Sequence, residues 1–344
     1  MHRGMSSTVV RDFQTDDLSR LRRMIVNLKH HHHGLEHKDV DVSEDEFLDF
    51  IQSHCIKVLI LETKCLPPAR PTAVGCMVYI PELSLLHASH GFELNQFFIE
   101  SVYRGSGSGR WMMAELSRQL LATGGTYIKV IHQGERNLDQ VYERLGFTNY
   151  TKKTNSYHLF MQHGRQAVDN FISRSADTVS KEHPFTVTVV PAYEATKASL
   201  KTDLFCGWKA KLPDLFLNCP ERGSLLPPAQ LVLVTCNQVA SRQCLFLEQA
   251  SVFGWTGPVV IFSGFLGDPS VLTPELLYTR AKLWYDKMPR LSSIEWEIPY
   301  RVDGKSTLAC SLYKLKVSDI TETLGLNITF LEGENIRRFD VIPG

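Results

Sequence analysis

The chain has 344 residues, 43% hydrophobic and 22% charged, which is enough for about two globular domains. Its 37 basic and 37 acidic residues cancel, so the charge balance makes no case for nucleic acid or an anionic membrane as partner. No run approaches the roughly 18 apolar residues of a membrane span, the opening MHRGMSSTVVRDF lacks the apolar core of a signal peptide, and the eight cysteines form no CxxC pair, so a reduced, cytoplasmic protein is expected.

In chain order, Ser7 to Phe13 reads as a short strand. Thr15 then stands where a helix cap would, ahead of Leu18, Leu21, Ile25 and Leu28 on one helical face. Ser43 and Glu46 have capping-box spacing before Phe47, Leu48 and Ile51, which predicts a second helix. Strand-like runs follow at Ile56 to Leu61, Val74 to Ile80 and Phe92 to Ile99. Next comes YRGSGSGR, Tyr103 to Arg110, and then a helical pattern (Met112, Leu116, Leu120, Leu121) stopped by Gly124 and Gly125. Tyr127 to Ile131 reads as a strand, Leu138 to Leu145 as a short helix ended by Gly146, and Ser156 to Met161 as a closing strand. The fold class expected is α/β (α+β), a mixed, mostly antiparallel sheet flanked by helices.

Residues 164–184 carry mixed charge without hydrophobic pattern and are expected to link a first domain, 1–163, to a second, 185–344. The second half repeats the plan, with strands at Phe185 to Val190, Leu231 to Thr235, Cys244 to Phe253, Val259 to Phe262 and Ser293 to Ile298, and a helix at Leu276 to Met288. Near its end ITETLGL (Ile320 to Leu326) echoes VYERLGF (Val141 to Phe147).

A loop that leaves a strand and opens a helix aims free backbone N–H groups at one point, and glycines let the backbone approach an anion. The spacing Arg104-x-x-Gly107-x-Gly109 sits between a strand and an amphipathic helix, as such a loop requires. It matches neither GxGxxG nor GxxxxGK[ST], which argues against a dinucleotide fold and a P-loop nucleotidase.

Arg104, Gly107 and Gly109 resemble motif A (Q/R-x-x-G-x-G/A) of the GNAT superfamily of acetyl-CoA-dependent N-acetyltransferases. Asn137, Tyr142, Gly146 and Phe147 resemble that family's later N…YxxxGF segment. The run LNQFFIESVYRGSGSG is most similar to the LEDFF…YRGxGxG run of the diamine (spermidine/spermine) and thialysine acetyltransferases. The resemblance covers about residues 7–162. It implies a GNAT fold in tandem, with acetyl-CoA as co-substrate and no metal. It also implies a cofactor site. Gly105, Ser106, Gly107, Ser108 and Gly109, between Arg104 and Arg110, would hold the diphosphate. Phe97, Phe98 and Ile99 would pair by main chain with the pantetheine arm, and Asn137 and Tyr142 would complete the site. Tyr142 stands at the family's general-acid position.

The base is less defined. The two carboxylates of the family's LED run are Asn95 and Gln96 here, at positions expected to face substrate. Glu93, two residues earlier on the strand, and His132, at the end of the next one, are the candidates for a base. A water chain or an already neutral amine is the other option. His30 to His33 with His37 are read as a loop with three possible roles: metal site, acceptor wall or plain surface. Asp39, Asp41, Glu44, Asp45 and Glu46 form an acidic patch.

The second half lacks the glycine loop. Asp268 and Pro269 stand where the diphosphate would sit, and Thr321 stands where Tyr142 does. A degenerate domain without cofactor is expected. The expected partner is a small-molecule amine, with no nucleic acid and no membrane. The expected assembly is a monomer whose two domains form a pseudo-dimer, or a homodimer. Two other readings stay open: a non-catalytic acetyl-CoA-binding regulator, and a protein N-terminal acetyltransferase.

Overall fold

The fold is that of a computed structural model describing residues 8–33, 43–52, 56–63, 71–84, 89–133, 138–149, 156–164, 185–191, 229–252, 258–268, 271, 274–288, 291, 293–301, 329–330 and 334–340. It is built on two seven-stranded mixed sheets. In the first, β1 (Thr8–Asp12), β2 (Lys57–Thr63), β3 (Ala73–Ser84) and β4 (Ser89–Ile99) run antiparallel in sequence order. β5 (Tyr127–Gln133) lies parallel to β4, and the last two places are taken by β14 (Glu334–Asp340) and β6 (Thr148–Asn149).

Helices cover both faces of this sheet. On one, α1 (Leu18–His33) and α2 (Glu44–Gln52) bury Leu21, Met24, Ile25 and Phe47 against Val58, Ile60, Cys76 and Val78. On the other, α3 (Ser108–Ala122) and α4 (Leu138–Arg144) bury Met112, Met113, Leu116, Leu120 and Tyr142 against Leu59, Leu61, Met77 and Phe92. The alternation of β2 and β3 between these two clusters is the period-two pattern of a sheet buried on both sides.

One helix start is as expected and one differs. Ser43 and Glu46 do form the capping box of α2, with Glu46 N–H donating to Ser43 Oγ (3.2 Å) and Ser43 N–H to Glu46 Oε2 (3.0 Å). Thr15, by contrast, is not the cap of α1. It opens a 3-10 turn, and Gln14 N–H donates to Asp17 Oδ2 at 2.8 Å. The buried Asp17 carboxylate is gripped by Arg11 through two hydrogen bonds of 2.7 and 2.9 Å, which tie the turn to β1 and hold the carboxyl below its ordinary range.

The second sheet repeats the first. β8 (Phe185–Pro191), β9 (Ala229–Cys236), β10 (Gln243–Val252) and β11 (Pro258–Gly267) are antiparallel, and β12 (Ser293–Arg301) lies parallel to β11. Two further strands follow, β7 (Ser156–Gly164) and β13 (Thr329–Phe330). Helix α5 (Pro274–Lys287) takes the place of α3.

The sixth position of each sheet comes from the other half of the sequence. β7, read as the closing strand of the first domain, pairs with β12 over nine positions, Ser156↔Arg301 to Gly164↔Ser293. β14 pairs with β5 from Tyr127↔Asp340 to Gln133↔Glu334. Gln249 on β10 also donates to the carbonyl of Pro81 on β3 at 2.9 Å, a buried bond between equivalent strands of the two sheets. Gly164 ends β7. Residues 165–184 of the expected linker and the 320–326 echo, with Thr321, lie outside the described residues.

At the start of β4 the ring of His90 is 4% exposed, with Nε2 3.4 Å from Thr123 Oγ1 at the end of α3. Burial holds its pKa below the ordinary 6.5. The unfolded chain therefore binds the proton more readily, and stability present above pH 6.5 is lost as pH falls below it. The urea midpoint is expected to drop between pH 7 and 5, and to drop less in His90→Gln; an equal drop in both would assign the loss to other groups.

Candidate functional site

The parallel pairing of β4 and β5 lasts for three positions, Gly91↔Tyr127, Phe92↔Ile128 and Glu93↔Lys129. Beyond them the strands part, and β4 continues to Ile99 bonded only to β3. Asn95 sits at the point of divergence as an extra residue, because Leu94 pairs with Tyr79 while Gln96 pairs with Val78. Such a bulge bends its strand and frees backbone groups on the open edge. A wedge results, lined by the main chain of residues 94–99 on one side.

The glycine loop closes the wide end of this wedge. Glu100 follows β4, a 3-10 turn spans Ser101–Tyr103, and α3 begins at Ser108. Arg104 stays exposed while its Nε donates to the Ile99 carbonyl at 2.7 Å, which fixes the loop to the end of β4. Ser106 Oγ donates to the Tyr103 carbonyl at 2.7 Å and lies 2.8 Å from Ser108 Oγ. Gly107 is the N-cap of α3 at φ +91, a left-handed conformation that glycine adopts without the strain of a side chain. A Cβ there would meet nothing within 4 Å. Among the described residues, none of the amide N–H groups from Gly105 to Gly109 donates a hydrogen bond. Five successive donors at the positive end of a fifteen-residue helix are suited to a phosphate or diphosphate.

Gly109 joins this loop to the rest of the site. A Cβ on it would approach Phe97 Cζ at 3.4 Å, Leu145 Cδ2 at 3.7 Å and Ile99 Cδ1 at 3.8 Å. The end of β4, the start of α3 and the end of α4 therefore meet there. One turn back on α4, Tyr142 is 9% exposed and stands edge-on to Phe147, with ring centroids 5.4 Å apart. Burial pushes its phenol up to about 12. The hydroxyl thus keeps its proton through neutral and mildly alkaline pH.

The other expected residues fall as follows. Phe97 leans toward the α3 core and Phe98 into the α1 core, so β4 offers the wedge its main chain between two anchored rings. Strict alternation from Glu93 to Asn95 does not hold, because the bulge interrupts it; Glu93 lies opposite Ile80 and Gln96 opposite Val78, on the face of α1 and α2. Gln96 donates to Asn95 Oδ1 at 3.2 Å, so the two amides are engaged with each other. Glu93 is buried with Oε2 3.0 Å from Lys129 Nζ, and Lys129 also pairs with Glu82. Glu93 is therefore held in a buried ion pair with Lys129. His132 lies in β5 with its backbone opposite Asn335 of β14. Asn137 lies outside the described residues.

The histidine run is helical: the backbone of His30 to His33 forms the last turn of α1, where a loop was expected, because no breaker precedes Gly34. His37 lies outside the described residues. Among the described residues no group of three or more His, Cys, Asp or Glu is placed to hold a metal ion, and no helix is long and apolar enough to cross a membrane.

In the second half, β11 and β12 pair only from Val259↔Ser293 to Phe262↔Trp296 and then part, repeating the wedge. The loop that follows differs. Asp268 turns to Arg242 on the β9–β10 hairpin, with Arg242 Nε donating to Oδ2 at 2.9 Å. The Asp268 carboxylate is thus held in an ion pair with Arg242. The run of free glycine amides has no counterpart in the sequence there.

Sequence reasoning missed β14, the strand that borders β5 beside the wedge. Its sequence ENIRRFD has only two apolar residues, at an odd spacing, so no period-two signal marks it.

No family model matches the chain, and no curated protein does. Among solved structures it is similar to a tandem GNAT protein from the clavulanic acid biosynthesis pathway, at 8% identity over 98% of this chain and 100% of that one, TM-score 0.47. It is also similar to a GCN5-related N-acetyltransferase from Sphaerobacter thermophilus, at 11% identity over 98% of this chain and 96% of that one, TM-score 0.48. A likeness to a spermidine N-acetyltransferase SpeG variant from Vibrio cholerae spans 45% of this chain and 83% of that one, at 18% identity and TM-score 0.32.

Proposed function

We propose that the chain is an acetyl-CoA-dependent N-acetyltransferase of the GNAT superfamily, acting from its first half on the primary amine of a small, weakly charged molecule. The observation that carries this is the run of five unengaged amides, Gly105 to Gly109, at the mouth of an open β4–β5 wedge. Backbone donors bind diphosphate there, and the free edge of β4 pairs with an extended amide chain. Acetyl-CoA supplies an activated acetyl thioester. The chain's part is to align it along β4, to exclude water with the Phe97, Ile99 and Leu145 side chains, and to hold the Tyr142 proton for the departing sulfur.

The amine must arrive neutral or lose its proton to a base. Glu93 is tied to Lys129, and Asn95 and Gln96 are amides, so none of these three described residues serves as a carboxylate trap for a polycation. An amino-acid-like or other singly charged amine fits better than spermidine. The Asn95–Gln96 pair also favours a second reading, a non-catalytic acetyl-CoA-binding regulator, which turnover with any amine would exclude.

Calorimetric titration is expected to give one acetyl-CoA per chain, because the second half lacks the amide run. Gly107→Val combined with Gly109→Leu should abolish that binding by straining φ and crowding the junction with Phe97. Thiol release over a panel of amines and peptides then identifies the acceptor. Unchanged affinity in the double variant would sink the site, and spermidine as the best acceptor would sink the charge argument.

A further inference from the structure

β8 closes one end of the second sheet, and its outer edge is unguarded. The strand runs for seven residues, FTVTVVP from Phe185 to Pro191, without a charge. Among the described residues it has β9 on one side and no strand on the other. Thr186 to Val189 are exposed on both faces, Val187 by 37% and Val189 by 38%. The edge is nevertheless held in place: β8 pairs with β9 along its whole length, and Thr186 Oγ1 donates to Asn237 Oδ1 at 2.6 Å.

The ladder fixes which backbone groups face outward. Cys236 N–H donates to the Arg242 carbonyl at 2.9 Å, so the even-numbered residues of β9 bond to β10 and the odd-numbered ones to β8. On β8 the bonded pairs are therefore Thr186↔Thr235 and Thr188↔Leu233. Phe185, Val187 and Val189 turn N–H and C=O away from the sheet, and Pro191, which has no N–H, ends the row. Such a row is a template for another strand, and proteins usually block it with charge. The matching edge of the first sheet is blocked: β1 carries Arg11 and Asp12, and Arg11 is paired with Asp17 and Glu62.

We propose that the β8 edge pairs antiparallel with β8 of a second copy of this chain, joining two second-half sheets across a two-fold axis at Thr188. A two-fold contact sets the residues at its axis against their own copies, so a charged edge would meet like charge, and β8 has none. With Thr188 on the axis the whole strand is used. Val187 and Val189 exchange backbone hydrogen bonds with Val189 and Val187 of the second copy, and Phe185 N–H reaches its Pro191 carbonyl. β-branched side chains then oppose one another across the joined strands. One strand against one strand is narrow beside the roughly 1,200 Å² of a standard interface, so the dimer forms and dissociates with concentration.

Sedimentation equilibrium on the full chain, from low micromolar to submillimolar, is expected to show the mass rising from one chain toward two. Val187→Lys combined with Val189→Lys should hold it at one chain throughout with the urea midpoint unchanged, since both side chains are exposed. Thr188→Cys should crosslink to a dimer above the wild-type level under mild oxidation. Opposed residues of a non-bonded pair lie about 4.5 Å apart at Cα, within reach of a disulfide. Thr186→Cys, opposite Val190 of the second copy, should not crosslink. A dimer that survives the two lysines overturns the proposal. So does a dimer in which Thr188→Cys fails to crosslink, and this arm decides should the lysine variant not fold. A wild-type chain that stays single throughout also overturns self-pairing and leaves the edge to a strand from another protein.

Discussion

Arg280→Met is expected to destabilise the protein by about 3–5 kcal/mol, the loss typical when one partner of a buried ion pair is removed. The Glu248 carboxylate on β10 is 0% exposed and meets two groups of α5. Arg280 Nε donates to Oε1 at 2.6 Å, Arg280 Nη2 to Oε2, and Trp284 Nε1, one turn on, to Oε2 at 2.8 Å. Arg280 Nη2 also donates to Gln230 Oε1 on β9 at 3.3 Å. Methionine keeps most of the volume and none of the donors, and it leaves a charge with no route to water. Adding Glu248→Gln removes that charge and should restore most of the stability, because the penalty lies in the orphaned carboxylate. Urea unfolding measures both. If Arg280→Met costs less than about 1 kcal/mol, the size of an ordinary surface pair, the carboxylate is better solvated than its burial indicates.

The same experiment bears on how the halves are joined. Each sheet takes its sixth strand from the other half, β7 into the second and β14 into the first. Unfolding either sheet therefore withdraws a strand from its neighbour. The Arg280→Met transition is expected to stay single and to lower acetyl-CoA affinity only where the whole chain unfolds.

What the sequence revealed was local. The first five strands, helices α1 to α4 and the strand–loop–helix turn at Tyr103 to Arg110 all follow from periodicity and glycine placement, with α1 running further than expected, through His33. Those signals act over a few residues, so they survive any tertiary arrangement. The address of a strand is not local. Ser156 to Met161 reads as a strand, but nothing in its alternation says which edge it will join, and as part of β7 it joins β12. The bulge at Asn95 was equally silent, since an extra residue is defined only against its partner β3. Lys129 was overlooked because a lone lysine in a strand reads as solvent-facing. Its burial beside Glu82 and Glu93 depends on two other strands. The arginine of the motif was legible as a residue and not as a role, because its bond is to the Ile99 carbonyl of its own chain.

Tyr142→Phe is expected to lower kcat by roughly 10²- to 10⁴-fold, the share of a positioned general acid, with acetyl-CoA affinity little changed. Phenylalanine preserves the edge-on packing on Phe147, so the substitution removes the hydroxyl and little else. The pKa sets the direction of the proton. Burial raises the phenol to about 12, whereas an ordinary thiol titrates near 8.5. Full transfer to sulfur in water would therefore run uphill by about 5 kcal/mol, at about 1.4 kcal/mol per unit. The burial that raises the phenol also penalises a thiolate beside it, which brings the two affinities together at the moment the carbon–sulfur bond breaks. A group of this kind never limits the rate by losing its proton at working pH. The profile of kcat against pH in the wild type should carry no descending limb from Tyr142 below about pH 11, and any rise at lower pH reports deprotonation of the amine or its base. Stopped-flow single turnovers of both forms, read by thiol release, separate chemistry from product release. Normal turnover by Tyr142→Phe, whichever amine is the acceptor, would remove the tyrosine from the proton's path and leave the sulfur to be protonated by solvent.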